Sequence, residues 1–333
     1  MNKRVVTFVA AVALLFSAGV QAKNYLGNPQ AESFIGLMVE EHDFKATELR
    51  RLFAQAEFKQ SIIDAMTRPA EKVKPWRDYR KIFYTSKRID LGTKFWRENS
   101  EALMRAKEDY GVDPAMIVAI IGVETYYGRN KGSFRVLDAL STLAFDYPKR
   151  SRFFTKQLEH FLLLAREQNQ DPLALKGSYA GAMGFGQFIP SSYRAYAVDY
   201  DNDGFADIWN NTTDAIGSVA NYFAEHGWKD GEPVATRVKL KPDYSPDVIT
   251  KGLKPDRTIL EFSEHGYFPV DFASPDAMAS AIKLDGQNGV EFWFGLHNFY
   301  VITRYNHSSM YAMAVYQVSQ AIRERMEPHL AEK

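Results

Sequence analysis

Glu124 closes one of the most apolar stretches of the chain, Ala115-Met-Ile-Val-Ala-Ile-Ile-Gly-Val123. The stretch is too short to span a bilayer and reads as a helix buried in a protein core. Asp113 is a natural N-cap, Pro114 suits the first helical position, and Gly128 can end the helix. Glu124 then falls in the last turn, on the face that carries Ile117, Ile120 and Ile121. Desolvation and the negative end of the helix dipole both disfavour an ionised carboxyl there, so its pKa should rise. A carboxylic acid kept protonated near neutral pH is what a general acid requires. The competing reading is a structural glutamate tied to a neighbouring arginine or lysine.

A second stretch, Lys176 to Tyr193, crowds Gly177, Gly181, Gly184 and Gly186 together and gives a backbone that a bulky ligand can approach. The glycine spacing is wrong for a dinucleotide loop, and Ser178 lacks the frame of a nucleophile elbow. Ser178 and Gln187 alternate with Tyr179, Phe185 and Tyr193, which suits a sugar: hydrogen bonds at the rim, flat apolar contact on the face. A glycine-rich turn between packed helices is the other reading.

In the third stretch Asp199, Asp201, Asp203 and Asp207 occupy positions 1, 3, 5 and 9 of an EF-hand-type calcium loop. Gly204 stands at position 6, and Phe205 would offer its carbonyl at 7. The pattern fails at position 12, where Asn210 replaces the bidentate glutamate, and Asp214 is the candidate to close the site. A structural calcium ion pinning two helices is expected; a plain aspartate-rich turn is the alternative.

The elements that must position these groups are mainly helical. Helical spacing runs from Ala31 to about Met66, from Arg88 to Tyr110, through the Glu124 segment, and from Ser151 to Gln168. Pro69 and Pro75 mark a connector. After Pro233, Val234, Thr236, Val238 and Leu240 alternate with polar or small residues, and Thr258–Phe262 and Met278–Leu284 also read as strands. A turn at 285–289 leads into Val290–Phe294, and helix returns from about Ser308 to Arg323. The expected division is an N-terminal helical domain over 23–87, a core over 88–232, a small antiparallel β insertion over 233–294, and a helix over 295–333 returning to the core.

Residues 1–22 have the character of a cleaved secretory signal: Lys3 and Arg4, an apolar run to about Ala18, then small residues at Val20-Gln-Ala22. Without them the chain keeps two more acidic than basic residues, which argues against a nucleic-acid partner. There is no cysteine, so disulfides, thiol catalysis, thiolate metal sites and a lipid-modified cysteine anchor are excluded. The histidines form no zinc-binding pair.

Taken together, Val123–Gly128, Gly177–Tyr193, Asp199–Asn210 with Asp214–Ser218, and Arg304–Asn306 resemble the lytic murein transglycosylase B family along nearly all of the chain from Ala31 to Arg323. The resemblance implies a lysozyme-like helical core with an additional helical domain, a small β domain and a calcium loop. It implies cleavage of the MurNAc–GlcNAc bond of peptidoglycan with one glutamate, matched by Glu124, acting first as acid and then as base. The sugar's 6-hydroxyl replaces water and leaves a 1,6-anhydro end. Matched substrate positions are Ser178, Gln187, Tyr222, Tyr305, Asn306 and Tyr79, with Arg150 as a basic grip. Lys149 departs from the arginine expected beside it and lacks the bidentate fork. The implied calcium ligands are Asp199, Asp201, Asp203, the Phe205 carbonyl and Asp214. The resemblance implies a soluble periplasmic protein whose partners are peptidoglycan strands and other cell-wall enzymes. A hydrolytic muramidase on the same fold and a non-catalytic wall-binding protein are the rival functions.

Overall fold

The computed structural model describes residues 23–67 and 74–331. The expected signal segment and Pro69 lie outside the described residues. Three helices open the described chain: α1 (Pro29–His42), α2 (Ala46–Phe53) and α3 (Gln60–Thr67). Asn28 caps α1 by accepting the amides of Gln30 and Ala31. Phe34 and Phe53 meet Phe145 with ring centroids 6.1 and 5.8 Å apart. Phe145 belongs to α8 (Val136–Asp146), which packs along α9 (Ser151–Glu167). The N-terminal helices therefore share one apolar core with α8 and α9.

A second core is built around the Glu124 helix. The helices α4 (Trp76–Phe83), α5 (Ser86–Glu98) and α6 (Ser100–Tyr110) precede α7 (Pro114–Thr125). Almost every residue of α7 is buried, as expected of a helix apolar on all sides. Its neighbours are α5, α6, α11 (Thr212–Glu225) and α14 (Ser309–Ala331). The close approach to α7 depends on Gly122, where an added Cβ would stand 2.5 Å from the Tyr127 hydroxyl. A short helix α10 (Pro190–Tyr196) leads into the aspartate loop, and α13 (His297–Tyr305) precedes α14. The tiny strands β1 (Phe134–Arg135) and β2 (Lys176–Gly177) pair antiparallel and clip the glycine-rich loop to the start of α8.

The insertion after Pro233 is a five-stranded antiparallel sheet in the order β4-β6-β7-β3-β5. Its strands are β3 (Ala235–Leu240), β4 (Arg257–Thr258), β5 (Tyr267–Pro269), β6 (Met278–Gly286) and β7 (Gly289–Gly295). Phe262, Tyr267, Ala281 and Phe294 form its own small core.

The structure corrects four local expectations. Thr258–Phe262 is not a strand: β4 stops at Thr258 and α12 (Ile259–Glu264) follows, because Thr258 and Glu261 form a reciprocal capping box. The second helical block does not begin at about Arg88: α4 already starts at Trp76, directly after Pro75, and α5 starts at Ser86. The C-terminal segment is two helices with a break at Asn306. Helix α7 stops before Gly128, with Tyr126, Tyr127 and Gly128 all in the left-handed region at φ 54°, 60° and 81°.

Candidate active site

Glu124 projects from the last turn of α7, where Asp113 caps the N-terminus by accepting the Ala115 amide at 2.8 Å. The left-handed turn that follows is held by Thr125, whose hydroxyl accepts the Gly128 amide at 3.0 Å. The same hydroxyl lies 3.0 Å from the Phe185 carbonyl, tying the end of α7 to the glycine-rich loop. Gly128 has Phe185 packed where a Cβ would go, so that junction admits no side chain. Non-glycine residues held left-handed, as Tyr126 and Tyr127 are here, store backbone strain that gathers at functional sites.

The Glu124 residue keeps part of its surface open, while its carboxyl is enclosed by protein. Burial pushes the carboxyl up from its ordinary 4.5 to about 7, against a smaller opposing effect of a hydrogen bond from Tyr311. That bond, from the Tyr311 hydroxyl to Glu124 Oε1, measures 2.5 Å. Tyr79 and Tyr305 complete the surroundings: burial first, and the Glu124 charge second, raise both of their hydroxyls. Among the described residues no second carboxylate and no basic side chain acts on Glu124. No described arginine or lysine pairs with it as a structural glutamate would require.

Tyr305 is anchored by donating to the Gly186 carbonyl at 2.6 Å, which draws the glycine-rich loop to this cluster. Its ring lies 4.7 Å from that of Tyr222. Tyr222 is buried and donates its hydroxyl to the Arg304 carbonyl at 2.7 Å, so it stands behind Tyr305. Gln187, left-handed at φ 53°, donates its side-chain amide to the carbonyls of Lys131 and Gly184 at 3.2 and 3.0 Å. Ser178 Oγ accepts the Ala182 amide at 3.1 Å and keeps its own proton for donation. Asn306 is exposed at the break between α13 and α14, next to Tyr305. Lys149 and Arg150 sit apart, on the 3-10 turn between α8 and α9, in a surface pocket shared with Phe153 and Lys156. There the Arg150 guanidinium stacks 4.3 Å over the Phe153 ring.

Between α10 and α11 the carboxylates of Asp199, Asp201, Asp203 and Asp214 bring oxygens within 4.8 Å of one another. The loop is shaped by its first aspartate, which accepts the amides of Asp203 and Gly204 at 3.0 and 2.8 Å. Asn210 does not join the cluster; its side chain donates to Asp207 at 3.3 Å. Asp214 lies in the cluster instead. It is fully buried, its carboxyl is raised by desolvation, and it accepts the amides of Tyr200 and Asp207 at 2.7 and 2.8 Å. The Phe205 carbonyl accepts the Asp207 amide at 2.8 Å, which uses one of its two lone pairs. Four crowded carboxylates with oxygen-only donors match the chemistry of a hard divalent cation.

Residues 27–320 match the model of the family described as Transglycosylase SLT domain. The membrane-bound lytic murein transglycosylase B of Escherichia coli is 45% identical over 308 residues, 90% of this chain and 84% of that protein. This chain belongs to the lytic murein transglycosylase B family. The solved structure of catenated lytic transglycosylase SltB1 from Pseudomonas aeruginosa superposes with a TM-score of 0.88 at 51% identity, covering 91% of this chain and 99% of that one. The E. coli lytic transglycosylase Slt35 in complex with calcium gives a TM-score of 0.84 at 44% identity, over 91% and 96% of the two chains. The lysozyme-like, mainly helical fold expected from the sequence is thus shown, and so is the enzyme class: a lytic transglycosylase acting on peptidoglycan.

Within this transglycosylase the residue that sequence reasoning did not single out is Tyr311. It lies 187 positions from Glu124, and nothing in its local pattern separates it from the other tyrosines. Thr125 was equally silent, although it adjoins Glu124 and joins α7 to the glycine-rich loop.

Proposed function

We propose that Glu124 alone carries out non-hydrolytic cleavage of the MurNAc–GlcNAc β-1,4 bond. The observation that carries this is a buried carboxyl raised to about 7 with tyrosines, and no other described carboxylate, around it. Glycosidases with two carboxylates divide acid and nucleophile or base between them. Here one group must serve twice. The protonated Glu124 gives its proton to the glycosidic oxygen, the C1–O bond breaks, and the GlcNAc-bearing strand leaves. The N-acetyl carbonyl supports the cation at C1. Glu124, now a carboxylate, accepts the proton of the sugar's own 6-hydroxyl as that oxygen bonds to C1. No water is consumed, and the product ends in 1,6-anhydro-MurNAc.

In this reading Tyr79, Tyr305, Ser178, Gln187 and Asn306 line the sugar side, and Tyr222 acts from behind by bracing Tyr305. Lys149 and Arg150 grip anionic groups of the strand further along. A calcium ion held by Asp199, Asp201, Asp203, Asp214 and the Phe205 carbonyl would neutralise the crowded carboxylates and lock α10 to α11. The β insertion over 233–294, with its own apolar core, is taken as a separate folding unit beside the helical body. Residues 1–22 are taken as a signal for export, with the periplasm as the place of action. None of the described helices is long and apolar enough to cross a membrane.

Mass spectrometry of muropeptides released by the purified protein tests the mechanism. Anhydro ends, lighter by one water than reducing ends, are expected. Reducing ends would identify a hydrolytic muramidase, and no release at all a wall-binding protein.

A further inference from the structure

Helix α4 has two working faces. Tyr79 turns towards Glu124, while Trp76, Arg77, Arg80 and Tyr84 line a separate groove of about 600 Å³. The far wall of that groove belongs to the β insertion: Arg237, the Gln287-Asn288 turn and Trp293. Tyr316 and Gln317 of α14 form the floor. The hairpin of β6 and β7 thus faces the same helix that borders the catalytic glutamate.

The groove's polar groups are only partly satisfied from within. Arg237 is neutralised by Glu291 at 2.9 Å, and Asp271 accepts from Thr236 at 3.0 Å. Arg80 donates through Nε to Gln317 at 2.5 Å while its guanidinium lies 3.7 Å over the Tyr84 ring, which leaves its terminal nitrogens for another acceptor. Arg77 is exposed and makes no hydrogen bond or ion pair with any described residue. The remaining acid at the rim is Glu324. Trp76 is almost fully buried, yet its indole Nε1–H has no acceptor among the described residues. That nitrogen is closed to solvent and so lies out of reach of a ligand in the groove.

We propose that this groove binds the peptide stem of a peptidoglycan strand, a short acidic peptide whose carboxylate pairs with Arg77 and Arg80. A neutral glycan has no use for two adjacent guanidinium groups, whereas a carboxylate takes their paired donors well. The glycan would then lie on the Tyr79 face of α4 with its stem reaching over the opposite face. The proposal rests on the wall-cleaving reading, but binding of the free peptide does not depend on turnover.

Calorimetric titration of the whole protein with a synthetic stem tetrapeptide bearing free carboxyls is the test, with the fully amidated peptide as control. Wild type should bind the acidic form at least ten-fold more tightly than the amidated form. Arg77→Ala with Arg80→Gln should weaken the acidic form at least ten-fold, with Arg77→Ala alone, at an exposed site, giving a smaller loss at unchanged melting temperature. The double variant should also raise KM on peptide-bearing strands and leave peptide-stripped strands unaffected. No heat with wild type, equal affinity in the double variant, or equal loss on both kinds of strand would overturn the proposal. If anhydro products form but the peptide does not bind, the stem site is wrong and the enzyme assignment stands. If the peptide binds but no glycan is cleaved, the reverse holds.

Discussion

Replacing Tyr311 by phenylalanine should move the working pH of the enzyme upward. The hydroxyl donates to Glu124 Oε1 at 2.5 Å and is the group that holds the carboxyl down against burial. A hydrogen bond to a charged group contributes about 1.5–3 kcal/mol. At about 1.4 kcal/mol per pH unit, its loss should lift the Glu124 pKa by about 1–2 pH units from its value near 7. The ring stays, so the surrounding packing is kept. The assay is the pH dependence of kcat/KM for solubilisation of purified peptidoglycan, whose alkaline limb reports the essential acid in the free enzyme. The limb should shift to higher pH by about 1 unit or more, with activity on the acid side retained within about ten-fold. A limb that stays in place, or moves down, would refute the assignment of Tyr311 as the group tuning Glu124.

Glu124→Gln should lose about 10²–10⁴-fold in activity. It should also be more stable than wild type at pH 8, by about 3 kcal/mol at most, since the wild-type carboxyl, raised from 4.5 to about 7, must ionise in a buried site. That contribution is fully favourable below pH 4.5 and is lost as pH rises through 7, so denaturant melts of the two proteins should converge in acid and separate above neutrality. Gly122→Ala should cost about 1–3 kcal/mol, because the new methyl meets the Tyr127 hydroxyl at 2.5 Å; a melting curve equal to wild type would show that α7 has room to shift. Chelation should lower the melting temperature without abolishing activity at room temperature, and Asp214→Asn should remove most of that calcium response. An unchanged melting curve in chelator would remove the metal site.

What the sequence made legible was chemistry carried by neighbours in the chain. The α7 segment is apolar on every side, so its burial and the fate of the glutamate at its end follow from the residues alone. The aspartates fall in the register of a cation loop, and Asp214, just past the failed twelfth position, lies with Asp199, Asp201 and Asp203 in one carboxylate cluster. What stayed hidden is decided by distant partners. Tyr311 becomes the partner of Glu124 only when α14 packs along α7. Helix α7 ends at Thr125 rather than running to Gly128 because Thr125 is tied to the Phe185 carbonyl and the Phe185 ring fills the space at Gly128. At Thr258 a β-branched apolar pattern loses to a capping box, and the short helix wins over the strand. Arg77, Arg80 and Trp293 are ordinary surface and sheet residues until the β insertion folds against α4.

The claim on which the mechanism turns is that the Glu124 carboxyl holds its proton near neutral pH. Carbon NMR of protein labelled at glutamate carboxyls, with Glu124→Gln used to assign the resonance, measures this directly. The resonance should titrate with a midpoint near 7. A midpoint near 4.5, the value of an ordinary glutamate, would leave the enzyme without its proton donor.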